Sequence, residues 1–147
     1  MKGTTEKTIP KLQEMDEREA KRFLAGLFAN LDPEEEYSVR HPEDFSMELP
    51  QSGERFRGRE NMRKFQEAYQ LPATPSVHVS SVIVRDGLWV VEGTIGYYNG
   101  RVFNLVMICE LRDGKMWRDR WYFAEPFEAP EWRSQWVERM GSGAQSD

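Results

Sequence analysis

A single cysteine, Cys109, stands in the 147-residue chain, so no internal disulfide can staple it. Its strand-like neighbours make that thiol a small core group rather than a nucleophile. Histidine is nearly as scarce. His41 and His78 are the two present, and their spacing matches no metal-ligand pattern, so no structural metal is expected. An excess of positive charge is missing too: 20 basic residues face 25 acidic ones, for a net charge of −5. Without a basic stripe, neither nucleic acid nor an anionic membrane is an expected partner. No apolar run reaches the roughly 18 residues that would suggest a membrane span. The amino end is polar and Lys-rich rather than signal-like, and the expected location is the cytoplasm. Neither an internal repeat nor a linker is visible. The expectation is therefore one domain over residues 16–140, with a flexible lead-in at 1–15 and a disordered polar tail at 141–147.

What is present is turn chemistry. Between Val77 and Glu125 lie four strand-like runs joined by Asp86-Gly87, Asn99-Gly100 and Asp113-Gly114. Asn-Gly and Asp-Gly supply the positive φ values of a type I′ turn, so each pair predicts a two-residue hairpin, and three in series predict an antiparallel meander. Ahead of it, Asp16 and Glu19 predict a capped helix start. Ala20, Phe23, Leu24, Leu27, Phe28 and Leu31 then form one apolar face. Asp32-Pro33 opens a short acidic helical turn, and Glu34 to Glu36 read as a solvated charge run. Phe45, Met47 and Leu49 alternate as a short strand, and Gln51 to Arg57 read as a polar loop. Met62, Phe65 and Tyr69 mark another amphipathic helix. Trp132, Trp136 and Met140, at spacings of four, predict a last helix over Glu131 to Met140 that ends at Gly141.

Two-residue turns fix register, and directly opposed residues share a face. On that basis one face carries His78, Trp89, Ile95, Tyr97, Asn104, Ile108, Trp117, Asp119 and Trp121. Large aromatics with a few isolated polar groups are the make-up of a small-molecule pocket. The opposite face collects Leu105, Met107, Cys109 and Leu111. Such an aliphatic block is best hidden against a second copy, so a homodimer through the back of the sheet is expected. A β-bulge would invert part of this assignment.

The order of elements, with Asp113-Gly114-Lys115-Met116, Tyr122-Phe123-Ala124-Glu125-Pro126-Phe127, Pro130-Glu131-Trp132-Arg133 and Gly58-Arg59-Glu60-Asn61, resembles the nuclear transport factor 2-like superfamily. Within it the chain is similar to the SnoaL-like and ketosteroid-isomerase-like proteins, over roughly residues 16–140. The resemblance implies an α+β cone, a curved antiparallel sheet wrapped on amphipathic helices in the order α-α-β-α-β-β-β-β-α. It also implies a pocket for a small hydrophobic or polycyclic molecule. Catalysis in such proteins, where present, is general acid–base chemistry by one or two carboxylates or an Asp–His pair, with no metal and no cofactor.

Asp119, flanked by Trp117 and Trp121, suits the carboxylate role, because apolar walls disfavour its charged form and raise its pKa. The alternative for it is a salt bridge to an arginine or a place at the rim. His78 resembles the strand histidine of dehydratase-like members, with Asp32 matching the position of its partner; a satisfied structural histidine is the plainer reading. Asn104, Tyr97, Trp89, Trp121, Trp117 and Ile108 are the candidate ligand contacts. Two functions follow as expectations. One is a cofactor-independent isomerase, cyclase or dehydratase; the other is a non-catalytic ligand-binding or dimerisation module.

Overall fold

A computed structural model describes residues 11–69 and 72–141. The expected tail from 142 onward and the first ten residues of the lead-in lie outside the described residues. Three α-helices, α1 (Glu17–Asn30), α2 (Pro33–Val39) and α3 (Arg59–Ala68), accompany six strands. The strands are β1 (Ser46–Leu49), β2 (Glu54–Arg57), β3 (Ser76–Arg85), β4 (Leu88–Gly96), β5 (Val102–Arg112) and β6 (Lys115–Ala124). They form one curved, open sheet in the order β2-β1-β6-β5-β4-β3. All neighbours are antiparallel except β1 and β6, which run parallel with Met47 beside Asp119. This is the α+β cone expected of the chain.

Local chemistry accounts for the helix starts. The Asp16 carboxylate accepts the Glu19 N–H at 2.8 Å while Glu19 accepts the Asp16 N–H at 3.0 Å, so two orphan donors of α1 are met reciprocally. Leu31 ends α1 in the left-handed region, Asp32 caps α2 through the Glu34 N–H, and Pro33 takes the first helical position. The buried face of α1, Ala20, Leu24, Leu27 and Phe28, packs on the sheet with Trp89, Val91, Met107 and Cys109.

Three boundaries differ from expectation. The stretch just before α1 is held in place: Leu12 opens a 3₁₀ turn, is fully buried, and donates its N–H to the Gly114 carbonyl at 3.1 Å. Glu54 to Arg57, read as loop, form β2, because Gly53 at φ 78° closes a hairpin back onto β1. The last helix is a 3₁₀ helix over Glu131–Trp136 with no buried residue; Trp132 and Trp136 are 73% and 71% exposed. Its i, i+4 aromatic spacing implied a stripe, but no surface among the described residues covers it.

The register departs from the sequence reading in three places. Asp86-Gly87 and Asp113-Gly114 carry paired positive φ values, as type I′ turns need. At Asn99-Gly100 only the glycine does. The loop there has three residues, with the Tyr97 N–H donating to Arg101 across it. Ile95 therefore opposes Phe103 and Trp89 opposes Cys109, which turns β5 over. Leu105, Met107 and Cys109 face the helices, whereas Asn104, Val106 and Ile108 face outward. A bulge after Glu110 leaves Trp117 without an opposite residue and shifts β6 back by one, so Cys109 opposes Asp119 and Met107 opposes Trp121. A third irregularity between Val79 and Ser81 sets Val77 against Ile95 and His78 against Thr94. Gly93 permits it: a Cβ there would lie 2.1 Å from the His78 carbonyl oxygen.

Candidate functional site

The inner face of the sheet and the three helices enclose a cavity of about 670 Å³. Its walls are apolar and aromatic: Phe28 and Leu31 from α1 and the turn after it, Ile95 from β4, and Trp121 and Phe123 from β6. Phe28 meets the Trp121 ring edge-on at 5.8 Å, and Trp121 stacks on Phe123 at 6.0 Å. Among the polar side chains in this lining, Glu36, Arg40, Gln66 and Asp119 gather together. Mostly apolar walls with a few converging polar groups are the composition of a ligand site.

The end of α2 supplies two of them. Glu36 and Arg40 are one helical turn apart and form an ion pair of 3.0 Å, with both side chains nearly inaccessible. Gln66 of α3 closes the set, donating its amide N–H to Glu36 Oε1 and accepting Arg40 Nη1–H at 3.1 Å. Burial raises the Glu36 pKa against the pull of Arg40, and burial lowers that of Arg40 against the pull of Glu36 and Asp119. Arg59 and Arg63 of α3 stack on Tyr37 at 4.1 and 4.0 Å, which ties α3 to α2 and keeps Gln66 in reach.

Asp119 sits on β6, 4% exposed, opposite the buried Cys109. Among the described residues no hydrogen-bond partner meets its Oδ1 or Glu36 Oε2, both on residues of the cavity wall. Desolvation raises the Asp119 pKa from 3.8 to about 6, with Cys109, Arg40 and the Trp121 indole pulling the other way. The same burial and the neighbouring Asp119 push the Cys109 thiol well above its ordinary value, so it stays protonated. A carboxyl group at about 6 in an apolar-walled cavity exchanges its proton near neutral pH.

Of the residues singled out from sequence, the structure brings Asp119, Trp121 and Tyr97 to the cavity. The others stand elsewhere. His78 is exposed on the outer face, turned there by the bulge that follows it. Asp32 caps α2, so the two do not form an Asp–His pair. Asn104 and Ile108 face outward because β5 is turned over. Trp117, at the bulge, stacks with the guanidinium groups of Arg112 and Arg118 and donates to Asp44 at 3.0 Å. Trp89 is fully buried core, edge-on to Phe23 of α1. Glu36 is 5% exposed rather than solvated.

Glu36, Arg40 and Gln66 escaped sequence reasoning. The available signals were the i, i+4 spacing of Glu36 and Arg40 and the place of Gln66 beside Met62, Phe65 and Tyr69. Among the described residues, no cluster of histidine, cysteine and carboxylates could hold a metal. No described helix is long and apolar enough to cross a membrane.

No protein-family model matches the chain, and no curated protein does. Solved structures do. One is the M. tuberculosis LEH-like epoxide hydrolase, 18% identical with a TM-score of 0.60 over 73% of this chain and 84% of its own. A ketosteroid isomerase homologue from Kribbella flavida shares 24% identity at a TM-score of 0.72, covering 82% of this chain and 87% of its own. At these identities the likeness is one of fold. An NTF-2-like protein of unknown function from Burkholderia xenovorans goes further, with 38% identity and a TM-score of 0.71 over 84% of this chain and 94% of its own. Identity of that order, sustained along nearly all of both chains and joined to the cone described above, means that this chain belongs to the nuclear transport factor 2-like family.

Proposed function

We propose that the chain binds a small hydrophobic or polycyclic molecule in the cone and moves a proton on it through Asp119, without a cofactor. The observation that carries this reading is Asp119 itself: a carboxyl group held in an aromatic-walled cavity, unpartnered at Oδ1, with its pKa raised to about 6. Isomerisation, cyclisation or dehydration would each use such a group as base and then acid. Tyr97 and Trp121 line the same cavity and would position the ligand.

A hydrolase reading has one observation in its favour. Arg40 feels the charge of both Glu36 and Asp119, so two carboxyl groups and a guanidinium meet at one end of the cavity. One carboxyl group could activate water while another protonates a leaving oxygen, as epoxide opening requires. The LEH-like epoxide hydrolase among the structural neighbours makes that reaction a reasonable member of the assay panel. Native mass spectrometry of the purified protein tests the shared premise. One small molecule per chain is expected to co-purify and to be lost in Ile95→Trp, which fills the cavity; a bound molecule unaffected by that change would place the site elsewhere.

A binding or dimerising module without turnover is the alternative, and dimerisation is proposed with either. The outer face of the sheet carries the cross-strand row Ile83, Val90 and Ile108, with Ile83 55% exposed. These residues, rather than Leu105 and its neighbours, would meet a second copy. Sedimentation equilibrium is expected to report a dimer for the parent chain and a monomer for Ile83→Asp/Ile108→Asp. A parent chain that is monomeric at tens of micromolar would remove the proposal.

A further inference from the structure

The cavity carries a charge that the protein does not cancel. Glu36 and Arg40 neutralise one another at 3.0 Å. Around Asp119 stand Arg40 and Glu36 from α2, Gln66 from α3, the Cys109 thiol from β5 and the Trp121 indole from β6. Arg40 is the one cation of that group, and its hydrogen bonds go to Glu36 and Gln66. When Asp119 ionises, the site holds one net negative charge. Two carboxylate oxygens, Asp119 Oδ1 and Glu36 Oε2, are buried there with no donor among the described residues. Buried polar groups left unpaired within a folded chain take their partner from outside it, a water, an ion or a ligand group. Two acceptors with negative charge ask for a cationic donor, and the aromatic walls suit the alkyl groups around such a cation.

We infer that the ligand is a lipophilic amine, its protonated nitrogen set against Asp119 and the free oxygen of Glu36 and its hydrocarbon part along Phe28, Trp121 and Phe123. A carboxylic acid is excluded, since its charge would meet like charge in a medium that screens poorly. A neutral alcohol satisfies one acceptor and leaves the charge uncancelled. The inference rests on the cavity being the ligand site; it holds whether or not Asp119 also transfers a proton.

Calorimetric titration with three probes on one skeleton tests it: 1-adamantylmethylamine, 1-adamantanemethanol and 1-adamantanecarboxylic acid. At pH 7 the amine is expected to bind about tenfold or more tighter than the alcohol, with the acid weakest. The amine affinity should fall as pH drops through about 6, where Asp119 takes up its proton, while the alcohol affinity stays level. Asp119→Asn should bring the amine down to the alcohol, and Glu36→Gln should narrow the gap with Asp119 intact. An alcohol that binds as well as the amine, or an amine preference that survives Asp119→Asn, overturns the amine inference and leaves the ligand site standing. Binding of none of the three overturns both.

Discussion

Asp119→Asn is expected to make the protein more stable at neutral pH and to cut the proposed turnover steeply. The group's pKa is 3.8 in the unfolded chain and about 6 in the folded one, so between those values the native state binds more protons. Stability therefore falls as pH rises through that window, and above about pH 6 the full cost of a buried charge is present. A shift of that size is worth about 3 kcal/mol. Asparagine carries no charge, so the variant should gain up to about 3 kcal/mol over the parent at pH 7. Below pH 4 the two should converge. Urea denaturation at pH 4 and pH 7 measures both ends; equal parent and variant midpoints at pH 7 would contradict the buried charge.

The activity side of the same variant follows from the same proton. At pH 7 the parent's Asp119 is about nine-tenths ionised and can accept a proton. Its kcat/KM should rise with pH through an apparent pKa of about 6. Asparagine cannot take that proton, and kcat should fall by about 10²- to 10⁴-fold. A stabilised variant that keeps full turnover would move catalysis away from Asp119 and toward Glu36. Stability gained where activity is lost marks a group held at a cost to the fold.

How far the sequence carried the reading depends on what each signal encodes. Helix caps and apolar periodicity are local, so α1, α2 and α3 were legible from Asp16, Asp32 and the stripe through Met62. The meander was legible from its glycine turns. Register was not, because it depends on one residue at each turn and bulge. Asn99-Gly100 closes a three-residue loop where a two-residue one was expected, and Trp117 occupies a bulge. Each deviation alone would turn Asp119 to the outer face. Together they cancel, and Asp119 faces inward by a route the sequence reading did not follow. No such compensation serves His78, Asn104 or Ile108, which end outside. Glu36 was hidden for another reason: in a run of three glutamates, only tertiary packing distinguishes the one that turns inward.

Removing the cation from the Glu36–Arg40–Gln66 cluster should have the second large effect. Arg40→Met keeps the volume and the packing against Phe45 but leaves the Glu36 carboxylate buried with only Gln66 to meet it. Breaking a buried pair from one side typically costs about 3–5 kcal/mol, because the remaining charge is uncompensated. Glu36 is already raised above its ordinary 4.5 by burial, and Arg40 is the largest influence opposing that rise. Without Arg40 its folded pKa climbs further, so the variant's deficit should grow as pH increases above about 4.5 and shrink below it. Arg40→Met/Glu36→Gln separates charge from shape. If the deficit is the stranded carboxylate, the double variant should recover most of the loss at pH 7, and its stability should no longer track the ionisation of residue 36. If instead Arg40 matters by filling the end of the cavity, the double variant stays as unstable as the single one. In that case the cluster is packing, and the uncancelled charge of the cavity is Asp119 alone.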